Sequence, residues 1–231
     1  MERQMDFKND VPFAMYLKLK CLMSIGAGSE GECFKSNIDK DAYKIFFNDE
    51  MLFTGKDYDV SKIITTHEVD LNSFAFPKQL YTVNGVLKGY RTKCVEGDLF
   101  STESTLDISN IYNINFEALY RAYLTMKNDI ETLSEKQIAI YDLPFNLMFD
   151  GQKLTAIDTC GYYKTDAYVT EVFKSNLESL DLAITSIFDL WLRNEDLEPL
   201  PKGKEEDMGV YLTRLQLYLV SLRKEIKSKC Y

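Results

Sequence analysis

The residues best suited to chemistry lie in two stretches, Ile140-Tyr141-Asp142-Leu143-Pro144-Phe145-Asn146 and Ala156-Ile157-Asp158-Thr159-Cys160-Gly161. Asp142 and Asp158 offer carboxylates, and Asn146 offers an amide oxygen. Such oxygens suit a hard cation like Mg²⁺, and a carboxylate beside them can accept a proton from a hydroxyl. Between the stretches run Leu147-Met148-Phe149, Asp150-Gly151 and Gln152 to Ile157. Asp-Gly between two apolar runs is a strong hairpin signature. The expected device sets one aspartate before a hairpin and one after it, with Asn146 at its base.

A second group lies upstream. Gly26, Gly28 and Gly31 make a G-x-G-x-x-G, and Lys44 stands inside the apolar run Ala42-Tyr43-Lys44-Ile45-Phe46. Strand patterns flank the glycines on both sides, giving strand-turn-strand. A dinucleotide fold needs a helix directly after this motif, so that its N-terminus faces the pyrophosphate. The hairpin instead lets backbone N–H groups lie close over phosphates. A lysine in an apolar strand is costly unless an anion pairs with it or it snorkels to water from an edge.

The elements that must position these residues are read from periodicity. Residues 1–15 form a lead-in, and Tyr16 to Leu22 alternates with period two as a strand. Strands follow through Lys35 and from Ala42 to Phe47, then a helix over Asp57 to Leu71. Phe76 to Val83 and Val86 to Val95 form a hairpin about Asn84-Gly85. After a polar linker, Ser101 to Asn115, helical spacing begins at Phe116 and runs through Leu119, Tyr120, Tyr123, Leu124, Ile130 and Leu133. Tyr162 to Lys174 is a short aromatic segment, and a helix follows over Leu177 to Arg193, with Leu180, Ile184, Ile187, Phe188 and Trp191 on its apolar side. An acidic loop, Glu195 to Asp207, precedes a last helix, Val210 to Lys227.

In order and context, Gly26-x-Gly28-x-x-Gly31, Lys44, Asp142, Asn146 and Asp158 resemble the protein kinase-like fold over roughly residues 16 to 190. The resemblance implies an α+β, two-lobed protein: a five-stranded antiparallel sheet with a helix in residues 16–97, and a mainly helical lobe in 98–231. It also implies ATP and Mg²⁺ as cofactors. The glycine loop would cover ATP, Lys44 would grip its α and β phosphates, and Asp142 would be the catalytic base. Asn146 and Asp158 would hold Mg²⁺. Lys93 to Gly97 would be the hinge, with adenine bonded by the backbone at Lys93 and Val95. An acidic partner for Lys44 would come from the following helix, where Asp59, Glu68 and Glu50 compete.

The pattern also breaks. Three residues separate Asp142 from Asn146 where the family has four. Ile140-Tyr141 replaces His-Arg, so control through a phosphorylated activation loop is not expected. Asp158-Thr159-Cys160-Gly161 carries an extra residue relative to D-F-G. Ser175-Asn176 is similar to the start of a conserved family helix, with Asn176 in place of Asp, and no A-P-E motif occurs. The expectation is a small phosphotransferase acting on a hydroxyl of a protein or small molecule. The alternatives are a pseudokinase that binds protein, and a small-molecule kinase of the aminoglycoside type.

Composition narrows the class. A length of 231 residues, 45% hydrophobic and 27% charged, fits an ordinary globular chain with a sizeable core. A net charge of −9 with no basic run argues against nucleic acid as a partner. No apolar run approaches the ~20 residues that span a bilayer. Five cysteines without C-x-x-C read as reduced thiols, so a cytoplasmic location is expected. The single histidine, His67, makes a histidine-based catalytic or metal site a poor fit.

Overall fold

The structure, a computed structural model, describes residues 4–47, 58–66, 69, 71–100 and 114–229. It is mixed α and β. A six-stranded sheet has the order β1 (Gln4–Phe7), β5 (Gln79–Val83), β6 (Val86–Thr92), β4 (Ala42–Phe46), β3 (Gly31–Ser36), β2 (Leu22–Ala27). Five α-helices accompany it: α1 (Asp10–Leu19), α2 (Val60–Thr66), α3 (Phe116–Glu135), α4 (Val169–Asn194) and α5 (Met208–Lys229). No helix among the described residues is long and apolar enough to cross a membrane.

The first twenty residues depart most from the sequence reading. The expected lead-in is β1 plus the start of α1, and the expected strand at Tyr16 to Leu22 is mostly the end of that helix. Asn9 caps it, accepting from Val11 N at 3.0 Å, with Asp10 in the first turn and Lys18 in the last. The apparent alternation fails at Leu19, which is 76% exposed. The sheet is therefore mixed, not five-stranded and antiparallel, because β1 adds parallel to β5 at its edge. Asp6 fixes that register by accepting from Thr82 Oγ1 at 2.6 Å and Gly85 N at 3.1 Å.

The sheet has an apolar cluster on each face. On one, α1 buries Phe13 against Tyr43, Tyr81 and Val83. On the other lie Phe46, Ile63, Leu80, Leu87 and Tyr90, joined by Cys160 from the far half of the chain. The largest core belongs to α3, α4 and α5, with Leu119, Met126, Ile130, Leu180, Ile184, Phe188, Tyr211 and Leu215 all buried. Asn115 caps α3 by accepting from Ala118 N at 3.0 Å. The helix expected from Leu177 begins at Val169, so the last part of the expected aromatic segment, 169–174, is its first turns.

A second sheet is three-stranded, in the order β10 (Leu154–Ala156), β9 (Leu147–Phe149), β7 (Asp98–Leu99). Its Asp150-Gly151 turn is as expected, with Gly151 at φ 92° and Asp150 Oδ1 accepting from Gln152 N and Lys153 N. β8 (Ile138–Ala139) pairs with β11 (Tyr163–Lys164) below it.

Candidate functional site

Period two decides what surrounds Lys44. Across the sheet Leu80, Tyr90, Lys44, Cys33 and Gly26 are cross-strand partners in one row, on β5, β6, β4, β3 and β2. Paired residues share a face, so Lys44 rises between Tyr90 and Cys33. Gly26 ends the row with no atom within 4 Å of where a Cβ would stand. Lys44 itself is 5% exposed.

Asp158 meets this row from the other half of the chain. Lys44 Nζ donates to its two carboxylate oxygens at 2.6 and 2.5 Å, and Tyr90 OH donates to Oδ1 at 2.9 Å. The sheet lysine and the hairpin aspartate, 114 positions apart in sequence, are thus one ion pair. Segment 73–76 holds the halves in place. Ala156 N donates to Ser73 O and Ala75 N to Ala156 O, both at 2.8 Å, while Thr159 Oγ1 and Thr92 Oγ1 both donate to Ala75 O. Phe74 and Phe76 stack and meet Tyr162 edge-on.

The second carboxylate on Lys44 comes from a residue the sequence reading passed over. Glu30 sits in the tip of the glycine hairpin, which Gly28 N closes by donating to Gly31 O at 2.9 Å. Its Oε2 accepts from Lys44 Nζ at 2.7 Å, and Tyr58 OH donates to its two oxygens at 3.1 and 3.2 Å. Asp59 is not the partner of Lys44: its Oδ1 accepts from Ser61 N and Lys62 N at the start of α2. Glu50 and Glu68 lie outside the described residues. An acid inside the glycine motif was the available signal, masked by the expectation that a helix would supply it.

Burial pulls the Lys44 pKa down, but Asp158 and Glu30 outweigh it and leave the ammonium's pKa raised. The Phe46 ring adds a cation–π contact at 5.3 Å. Burial, then Asp158, keeps the Tyr90 phenol neutral, and burial with Glu30 does the same for Tyr58. Both therefore serve as donors.

The remaining candidates lie on the hairpin side. Asn146 directly precedes β9, and Ile157 N donates to its backbone oxygen at 2.8 Å, so Asp158 follows the residue bonded to Asn146. Asn146 Nδ2 donates to Asp142 O at 3.1 Å, and its Oδ1 has no partner among the described residues. A single 3-10 turn, Leu143–Phe145, joins Asp142 to Asn146. Asp142 is exposed and left-handed, at φ 55°, and Asp158 is left-handed at φ 54°. Burial pushes the Tyr162 phenol up, and the charges of Asp158 and Asp142 add to it.

Asn176, buried in α4, holds the strand that leads into Asp142. Its Oδ1 accepts from Ile140 N at 2.9 Å, and its Nδ2 donates to Ile138 O at 2.9 Å and Ser134 Oγ at 3.1 Å.

The three glycines divide. Gly26 and Gly28 face open space, whereas a Cβ on Gly31 would stand 2.3 Å from Ile45 O. Gly31 is required by the close approach of β3 to β4. The segment Lys93 to Gly97 connects β6 to β7. Lys93 Nζ donates to Asn72 O at 2.6 Å, and the Val95 backbone makes no hydrogen bond among the described residues.

Among the described residues no group of three or more His, Cys, Asp or Glu side chains converges to hold a metal. Of the two expected metal ligands, Asp158 accepts from Lys44 and Tyr90, and the Asn146 amide oxygen accepts from no described residue. Comparison of the chain with protein-family models and with curated proteins gives no match.

Proposed function

We propose that this chain is a nucleotide-dependent phosphotransferase of protein kinase-like type, moving the γ-phosphoryl group of ATP to a hydroxyl of a protein or small molecule. The observation that carries the reading is the direct Lys44–Asp158 contact beneath the glycine hairpin, with Asn146 one hairpin position away. A buried ammonium, an acidic hairpin residue and a neighbouring amide oxygen are the groups this chemistry requires.

Lys44 exchanges a carboxylate for α and β phosphate oxygens, and the open backbone at Gly26 and Gly28 lies over them. Asp158 and the Asn146 Oδ1 are the residues that would hold Mg²⁺, which when bound neutralises charge on the phosphate oxygens. Asp142, exposed and with no hydrogen bond to its carboxylate among the described residues, takes the proton of the attacking hydroxyl. The hydroxyl oxygen bonds to the γ-phosphorus as the bond to the bridging oxygen breaks, and ADP leaves. The rate gain would come from positioning and charge stabilisation.

A pseudokinase is the second reading, favoured by the way Glu30 and Asp158 already satisfy Lys44. Phosphoryl transfer from γ-labelled ATP, to the chain itself or to a hydroxyl acceptor, separates the two. Transfer by wild type that falls at least about a hundredfold in Asp142→Asn supports the enzyme. Mg-dependent ATP binding without transfer supports the pseudokinase, and absence of binding removes the enzyme.

A further inference from the structure

We propose that Glu30 sets which form of nucleotide the site accepts, excluding free polyphosphate and admitting it when complexed to a divalent cation. The proposal rests on the nucleotide-binding reading above and goes beyond it.

The argument starts from charge. Lys44 is the one cation in direct contact with Glu30 and Asp158 among the described residues, so the cluster carries two carboxylates and one ammonium. Its net charge is negative, in a chain whose total is −9. An uncomplexed triphosphate approaching Lys44 must displace one carboxylate while being repelled by both. At a few ångströms, and in a site screened less than open solvent, that repulsion outweighs most of what one ammonium offers. A divalent cation between carboxylate and phosphate reverses the sign.

Of the two carboxylates, Glu30 is the one built to move. Its backbone is fixed: Phe47 N donates to Glu30 O at 2.9 Å, and the hairpin closes on either side of it. Its side chain is partly open at 21% exposure, and since Asp158 is 29% exposed the difference between the two lies in what holds each loop and not in exposure. Gly26 and Gly28 present no side chain to block its rotation, with nothing within 4 Å of either Cβ position. Tyr58 OH bonds both Glu30 oxygens and gives the carboxylate a second anchor once Lys44 turns to a phosphate. Exchange then needs a side-chain rotation and leaves the hairpin intact. Asp158 lacks this freedom, since Tyr90 and the Thr159–Ala75 contact hold its loop.

The test is binding of a fluorescent trinitrophenyl-ATP to the full chain, with excess MgCl₂ and with EDTA. Wild type binds at least about tenfold more weakly in EDTA. Glu30→Gln, which keeps shape and loses charge, binds in EDTA at least about fivefold tighter than wild type, while Glu30→Asp, which keeps charge, follows wild type. Equal or weaker binding of Glu30→Gln in EDTA overturns the proposal, and so does Glu30→Asp behaving like Glu30→Gln. If wild type binds the magnesium complex and Glu30→Gln changes nothing, only the role of Glu30 falls. If no variant binds nucleotide under either condition, the nucleotide-binding reading falls with it.

Discussion

Asn176 illustrates how one side chain can commit the site to a particular chemistry. Its amide accepts from Ile140 N and donates to Ile138 O and Ser134 Oγ, all at distances of 2.9 to 3.1 Å in a fully packed core. A carboxylate there could accept from Ile140 N but would face the Ile138 carbonyl with nothing to donate. We expect Asn176→Asp to lose about 3 kcal/mol at neutral pH, because an unpaired charge is buried. Burial raises the introduced carboxyl's folded pKa above its unfolded value of about 3.9. Its ionised form therefore favours the unfolded chain, and the deficit is absent below that pH and grows as pH rises through the folded pKa. Urea titrations of wild type and variant at pH 4 and pH 7.5 check it; a deficit that does not grow between them counts against the buried amide network.

At the scale of elements, the glycine hairpin joins two kinds of requirement in one motif. Gly31 lets β3 lie against β4, whereas Gly26 and Gly28 face open space. Gly31→Ala is expected to destabilise by about 2 kcal/mol or more, since the new methyl meets backbone that cannot move aside. Gly28→Ala should stay within about 0.5 kcal/mol of wild type and act on ligand binding alone. Denaturation midpoints of the two variants, measured side by side, distinguish these roles. Much of this level could be read from the chain. Asn84-Gly85 and Asp150-Gly151 marked their hairpins through turn chemistry that neighbouring structure does not override, and both are found. The periodicity of α3 and α4 located the main core for the same reason. Tyr16 to Leu22 misled because a short run of apolar and polar residues suits a helix end as well as a strand. The deciding residue, Asn9, lay outside the run. Glu30, an acid inside the glycine motif, was passed over because its bond to Lys44 forms only once β3 has paired with β4.

For the whole molecule, the organising fact is that Lys44 and Asp158 come from segments 114 positions apart, so the site exists only when those segments have packed. Their junction runs through segment 73–76 and the mixed cluster of Phe46, Leu80, Tyr90 and Cys160. The sheet has a similar dependence at its margin, where β1 covers one side of β5 and Asp6 ties it to the Asn84-Gly85 turn. Deleting residues 1–8 should uncover the β5 edge and promote association between chains. Size-exclusion chromatography of the shortened chain reads this directly: a monomer as stable as the full chain would show that β1 is dispensable. The parallel pairing of β1 also imposes an order of events. Gln4–Phe7 pairs with a strand about 75 positions away, so we expect it to join the sheet after the local hairpins. Closing so distant a contact is slow relative to the local hairpins. A refolding experiment that follows exchange at Met5 and Phe7 should therefore see protection there arrive after protection across β3 and β4.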